Sequence, residues 1–201
     1  MKTETLLAFD TSAAHCAAAL LSGGRVWLRH EPMDKGQAER LMPLLEELLA
    51  EAGIGWSDLA GIGVGTGPGN FTGVRISVAA ARGLALGLSI PAIGVTRLEA
   101  LAHGLPRPIT VIEDARRGEA YVQEFSAETG AAHLAPLPVS ATGAVTGSAA
   151  PDGLPPAMPL AQAIAEIALS RLGTLRPRPA PFYLRGADAA PPSDPPPVIL
   201  P

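Results

Sequence analysis

Asp10-Thr11-Ser12 ends an apolar run with one carboxylate and two hydroxyls. Such a turn can hold a metal or a water for phosphoryl transfer, or it can cap itself with its own side chains. Further along, GVGTGPGNFTGVR, residues 63–75, holds five glycines and a proline in thirteen residues. A backbone this free of side chains can come close to something, either a phosphate or another part of a protein. Gly69 and Thr72 stand where the loop meets the next helical pattern, and a helix N-terminus attracts anions without any further motif. Asp114, followed by Arg116 and Arg117, could act as a base or metal holder, bind an anion or a protein, or form a solvated hairpin turn.

The stricter phosphate motifs fail. A P-loop requires G-x-x-x-x-G-K-[ST], and the chain has no lysine after Lys35. The dinucleotide fingerprint G-x-G-x-x-G breaks because its closing glycine would fall on Pro68, Asn70 or Thr72. The loop therefore reads either as a generic anion site or as a tight strand-to-helix turn whose glycines permit close packing. The histidines, His15, His30, His103 and His133, are never three to five residues apart, so no helical pair begins a zinc site. No nucleophile–base pair stands out, and neither metal nor cofactor is expected. Cys16 is the single cysteine, so no internal disulfide can form, and its place in a strand pattern predicts a buried thiol.

The elements that position these residues follow from apolar periodicity. Runs at 5–10, 15–21 and 25–30, with a Ser22-Gly23-Gly24 turn, predict an antiparallel meander. Over residues 38–52, Leu41, Leu44, Leu45, Leu48 and Ala52 recur at helical spacing, and Gly53 can cap the end. Pro43 lies inside that pattern, so the helix either kinks there or starts near Met42. A strand at 59–64, a helix at 72–86 and a strand at 90–95 come next. Thr96-Arg97-Leu98-Glu99 is a capping box that opens a short helix. This order predicts a mixed sheet with helices packed against it.

The second half begins in a similar way. TLLAFD-TSAA-HCAAALL and ITVIED-ARRG-EAYVQEF each give an apolar strand ending in aspartate, a short turn and a second strand. Asp10 and Asp114 hold matching places, which suggests two related α/β subdomains. Residues 127–156 read as short strands and loops, and 160–172 as a helix. Residues 176–201 are too rich in proline for a regular helix, although Phe182-Tyr183-Leu184-Arg185 is apolar enough to pack as an extended segment. The expected organisation is thus 1–103, a smaller 104–175, and an extended 176–201.

The chain's 201 residues, 47% hydrophobic and 17% charged, suffice for one folded domain or two small ones. A net charge of −4 without a basic stripe equips it poorly to hold nucleic acid alone. The start lacks the long apolar region of a signal peptide, and no run of about 18 apolar residues suggests a membrane span. A cytoplasmic protein is expected.

The helix at 72–86 is apolar nearly all round. At about 100° per residue, Val74, Val78, Ala81 and Ala85 share one side, while Ile76, Ala79, Ala80, Leu84 and Leu86 spread over the rest. Such a helix is covered on more than one side. The sheet is one cover; a neighbouring helix or a partner chain is the other. Together with Leu41, Met42, Leu45 and Leu49 of the preceding helix, a partner surface of Phe71, Arg75, Ile76, Ala79, Ala80, Gly83 and Leu86 is expected. Two copies of the isolated chain would pair through it.

LLAFDTSAAHCAAALL, QAERLMPLLEELL, GTGPGNFTGVRISVAAARGLALGLSIPAIGVTRLEALA, DARRGEAYVQEF and PFYLRGADA occur in that order. Together they resemble the TsaB (YeaZ) family, from Leu6 to about Arg185. The resemblance implies a reduced actin/Hsp70-like ATPase (ASKHA) α/β fold, with two ribonuclease-H-like subdomains carrying mixed sheets. It also implies a subunit without catalysis of its own. Its partner would be a TsaD-like subunit that transfers threonylcarbamoyl to adenosine 37 of tRNA, joined by a TsaE-like ATPase, with tRNA met only through the complex. Gln37 stands where many relatives carry histidine. The competing reading is a small ASKHA-fold nucleotide-binding kinase or ATPase that uses Asp10-Thr11-Ser12 as a phosphate turn and Asp114 as base or metal holder.

Overall fold

A computed structural model describes residues 4–186. The first meander forms as the apolar runs require. Strand β1 (Leu6–Asp10) pairs antiparallel with β2 (His15–Ser22), and β2 with β3 (Arg25–Pro32). β1 also pairs in parallel with β4 (Gly61–Gly65), which pairs in parallel with β5 (Ala92–Val95), giving the order β3-β2-β1-β4-β5. β1 and β4 are buried throughout, which accounts for their unbroken apolar runs.

Helices α1 (Gln37–Ala52) and α2 (Phe71–Leu88) lie side by side on one face of this sheet. α1 runs on through Pro43. The proline removes one donor, and both Pro43 and Glu39, whose carbonyl it leaves unmatched, are exposed to water. Gly53 ends the helix in the left-handed conformation, its N–H donating to the last turn. The short α3 (Arg97–Ala102) opens on the expected capping box: Thr96 Oγ1 accepts from Glu99 N at 3.1 Å, and Glu99 Oε2 accepts from Thr96 N at 2.9 Å.

A second sheet follows, with β6 (Ile109–Asp114), β7 (Glu119–Phe125), β8 (His133–Pro136) and β9 (Ala144–Thr146) in the order β8-β7-β6-β9. β6 is antiparallel to β7 and parallel to β9, as β1 is to β2 and β4. The repeat read from two aspartate-ended strands is therefore a repeat of topology, and Asp10 and Asp114 each close the first strand of their sheet.

Helix α4 (Leu160–Ser170) departs from chain order. It follows the second sheet in sequence but packs on the other face of the first, burying Ala161, Ile164, Ala165 and Ala168 with Leu6, Ala8, Ala17 and Ala19. The stretch 104–175 is thus not one packing unit. Gly61 and Gly63 explain why: a Cβ on Gly63 would lie 2.9 Å from Ala168 Cβ, and one on Gly61 2.8 Å from Leu172 Cδ1. β4 lacks the side chains that would hold this helix off the sheet. Of the proline-rich region, 187–201 lie outside the described residues.

Candidate functional site

Asp10, Thr11 and Ser12 are all buried. Asp10 Oδ1 accepts from Ser12 N at 3.0 Å and Ser12 Oγ at 2.9 Å, and it lies 2.8 Å from His15 Nε2. Thr11 Oγ1 donates to Gly73 O at 2.6 Å, and Asn70 N donates to Ser12 O at 2.6 Å. The glycine loop therefore folds over the aspartate turn. A Cβ on Gly73 would stand 3.0 Å from the Thr11 carbonyl carbon and closer still to its oxygen. One on Gly65 would stand 2.8 Å from Asp10 Cγ. What the glycine backbone approaches is the chain's own β1–β2 turn.

The groups that an anion would use at the start of α2 serve the chain itself. Asn70 caps the helix, its Oδ1 accepting from Gly73 N at 2.9 Å. Thr72 and Gly69 are exposed at the rim. Asp114 is not brought to Asp10. It is exposed, accepts from Arg116 N at 2.9 Å, and sits beside Arg117, which shares the left-handed backbone of Arg116.

The residues that do link the two sheets had no signal in the sequence. Arg97, at the start of α3, donates through Nε to Glu113 Oε1 at 2.8 Å, and Glu113 Oε2 accepts from Ser148 N at 2.9 Å. The Arg97 N–H donates to Gly67 O at 2.7 Å, joining this pair to the glycine loop. Burial alone would push the Asp10 carboxyl up. The His15 hydrogen bond, the Arg97 and His15 charges and the Ser12 hydroxyl outweigh it and leave the carboxyl below its ordinary value. Asp10 Oδ2 and Arg97 Nη1 are buried and make no hydrogen bond among the described residues. Nor do those residues hold any group of three or more His, Cys, Asp and Glu side chains suited to a metal.

The expected partner surface divides in two. Leu41, Leu45 and Leu49 are core residues, because the α1 stripe faces the sheet, and they cannot line an outer surface. Met42, Ile76 and Ala80 are half-buried against that core. The outward face belongs to α2: Phe71 is 40% exposed and Leu86 79%, with Arg75, Ala79, Arg82 and Gly83 exposed between them. These positions recur at three- and four-residue steps and make one continuous stripe. By length and composition alone, α2 is also apolar enough to cross a membrane. Its inner face, Val74, Val78 and Ala81, is committed to the first sheet.

A structure described as YeaZ from Pseudomonas aeruginosa superposes with a TM-score of 0.75, at 29% identity, over 90% of this chain and 100% of that one. The Escherichia coli tRNA threonylcarbamoyladenosine biosynthesis protein TsaB is 37% identical over 125 residues, 60% of this chain and 54% of the relative. The chain belongs to the TsaB (YeaZ) family. The family model described as TsaD, tRNA N6-adenosine threonylcarbamoyltransferase, also matches, over residues 31–186. An uncharacterized Mycobacterium tuberculosis protein is 31% identical over 203 residues, 95% of this chain and 96% of that one. Against the curated TsaB proteins of E. coli and Haemophilus influenzae the match spans little more than half of their length, 54% and 56%. With its two mixed sheets of matching topology, this TsaB-family chain has a reduced actin/Hsp70-like (ASKHA) α/β fold with two ribonuclease-H-like subdomains.

Proposed function

We propose that this chain is a non-catalytic assembly subunit in the synthesis of N6-threonylcarbamoyladenosine at position 37 of tRNA, acting by pairing with a TsaD-like catalytic subunit. The observation that carries this is the outward stripe of α2, where Phe71 and Leu86 stay open to solvent on a helix whose opposite face is packed on the sheet. An apolar stripe beside a second helix suits a partner of related fold that offers its own helix pair. The isolated chain pairs with a second copy through the same stripe. A TsaE-like ATPase joins through the complex, and tRNA is met there too, since a net charge of −4 gives this chain little hold on phosphate. The setting is the cytoplasm, and the chain brings no cofactor. The enclosed Asp10 turn supports the absence of chemistry, because the Thr11 hydroxyl and the Ser12 carbonyl are spent on the glycine loop and the Ser12 hydroxyl on Asp10 itself.

The test is Leu86→Glu and Ala79→Glu, with complex formation followed by sedimentation and folding by circular dichroism. A carboxylate buried unpaired in the contact costs several kcal/mol, so affinity should fall at least about a hundredfold. Folded variants that bind as the parent does would place the contact elsewhere. A nucleotide-binding kinase or ATPase is the second reading, favoured by one observation, the unpartnered Asp10 Oδ2. Calorimetry with ATP and magnesium decides it: heat of binding lost in Asp10→Asn supports that reading, and its absence removes it.

A further inference from the structure

Residues 179–185 return from α4 as an extended strap across the glycine loop. Pro179 is buried beside Gly94, where a Cβ would lie 3.3 Å from the proline's own Cβ. Phe182 N donates to Thr66 O at 2.8 Å, which fixes the strap to the end of β4. Leu184 packs with Leu98, Leu101 and Phe125, and Arg185 forms an ion pair with Glu119 at the start of β7. The strap is thus held at several points, and its register places Tyr183 over the first turn of α2.

There the side chains form a layered stack. The Tyr183 ring lies on Phe71, with centroids 5.1 Å apart and an interplanar angle of 27°. The Arg75 guanidinium covers the Phe71 ring at 3.7 Å, and its Nε donates to Tyr183 Oη at 3.0 Å. An arginine spread over an aromatic face and held through Nε keeps its two terminal nitrogens as a paired donor edge. Arg75 has no ion pair among the described residues, and α2 contains no carboxylate. Tyr183 itself is 41% exposed, so it extends the α2 stripe beyond the helix.

We infer that Tyr183 is a positioning and specificity-determining residue of the docking surface: it fixes Arg75 on Phe71 so that the guanidinium meets a carboxylate on the partner's helix. This rests on the proposal that α2 faces the TsaD-like subunit. Charge complementarity names the occupant's chemistry. The stripe carries Arg75 and Arg82 and no acid, so the helix that covers it supplies the negative charge. The tyrosine contributes the geometry, since a free arginine would have to lose its rotamer freedom on binding.

The experiment measures affinity for the TsaD-like subunit at low and at about physiological salt for the parent, Tyr183→Phe, Arg75→Gln, the double variant and Leu86→Glu. Tyr183→Phe keeps the ring and removes only the bond to Nε. It should weaken binding about three- to tenfold and flatten the salt dependence. Arg75→Gln should weaken it about tenfold or more. The double variant should be no weaker than Arg75→Gln alone, because the tyrosine acts through the arginine. If Leu86→Glu abolishes binding while Tyr183→Phe and Arg75→Gln bind as the parent at both salts, the docking face stands and this inference falls. If Leu86→Glu binds normally, the docking face falls and takes the inference with it. If the two stack variants impair only pairing of the chain with a second copy, the partner named here is wrong.

Discussion

The glycine loop offers a test in which one substitution should have opposite effects at two places on one helix. Gly73 is the third residue of α2, and Gly83 lies ten residues on. An added Cβ at Gly73 would meet the Thr11 carbonyl, 3.0 Å from its carbon and nearer to its oxygen, with Ser12 Cα at 3.4 Å. Both neighbours are backbone and cannot swing away. At Gly83 an added Cβ meets nothing within 4 Å. In Gly73→Ala the turn and the helix must separate. Overpacking of this kind costs about 1–3 kcal/mol. The bonds from Thr11 Oγ1 to Gly73 O and from Asn70 N to Ser12 O, both 2.6 Å, are stretched or lost at about 1 kcal/mol each. Alanine's helix preference over glycine returns about 1 kcal/mol. The net expectation is a loss of about 2–4 kcal/mol, a large part of the 5–15 kcal/mol typical of a domain. In Gly83→Ala only the helix preference remains, so stability should rise by about 0.5–1 kcal/mol. Urea denaturation followed by circular dichroism reads both. If Gly73→Ala comes within about 0.5 kcal/mol of the parent, the loop does not serve close packing against the Asp10 turn.

Three further outcomes follow from the same geometry. Asp10 titrates below its ordinary value when folded, so its contribution is present above the unfolded value and lost as pH falls through the folded one. The stability gap between parent and Asp10→Asn should be constant near neutrality and shrink below about pH 4; a gap unchanged down to pH 3 would contradict this. Cys16 is buried, and burial first, then the charges of Glu31 and Asp10, push its thiol up to about 11 against the opposing Arg40. Alkylation at neutral pH should be slow in the folded protein and fast in denaturant, and rapid labelling of the native state would refute it. Thr96→Ala removes half of the α3 capping box and should cost about 1 kcal/mol in thermal or urea unfolding, a loss that a variant with unchanged midpoint would disprove.

Features resting on local chemistry were legible in the sequence. The meander, the Gly53 cap, the Thr96–Glu99 box and the twofold strand pattern depend on neighbours within a few positions, and all four form. What periodicity leaves open is which neighbour covers a face. Leu41, Leu45 and Leu49 form a helical stripe whether a sheet or a partner lies over it, and here the sheet does. Chain order likewise suggested that α4 completes the second sheet, whereas Gly61 and Gly63 of β4 draw it to the first. The contacts that matter most at the candidate sites join distant positions. Arg97 to Glu113 and Arg75 to Tyr183 pair residues whose types are ordinary and whose separation in the chain carries no pattern. Pro43 gave two alternatives, a kink or a start near Met42; the helix starts earlier, at Gln37, and runs on through the proline, because water can serve the exposed Glu39 carbonyl.

The repeat also shows why matching topology does not carry matching chemistry. Asp10 and Asp114 end equivalent strands, yet their surroundings differ in every respect that sets reactivity. Around Asp10, a glycine-rich loop closes over the carboxylate, His15 and Ser12 hold one oxygen, and Arg97 lends its charge from the start of α3. Around Asp114, a left-handed pair of arginines leaves the carboxylate on the surface, bonded to the backbone of its own turn. The neighbour Glu113 takes the arginine instead, and through it the two sheets are joined by an ion pair whose members are both largely buried. A pair of strand ends that face each other across a cleft can grip a ligand only if both present free polar groups to it. Here one end is enclosed and the other turned outward, and between them Arg97 binds Glu113. The exposed aromatic and cationic groups lie instead on the outer face of α2, where Phe71, Arg75 and Tyr183 are stacked together at the surface, which is why the proposed function is placed there.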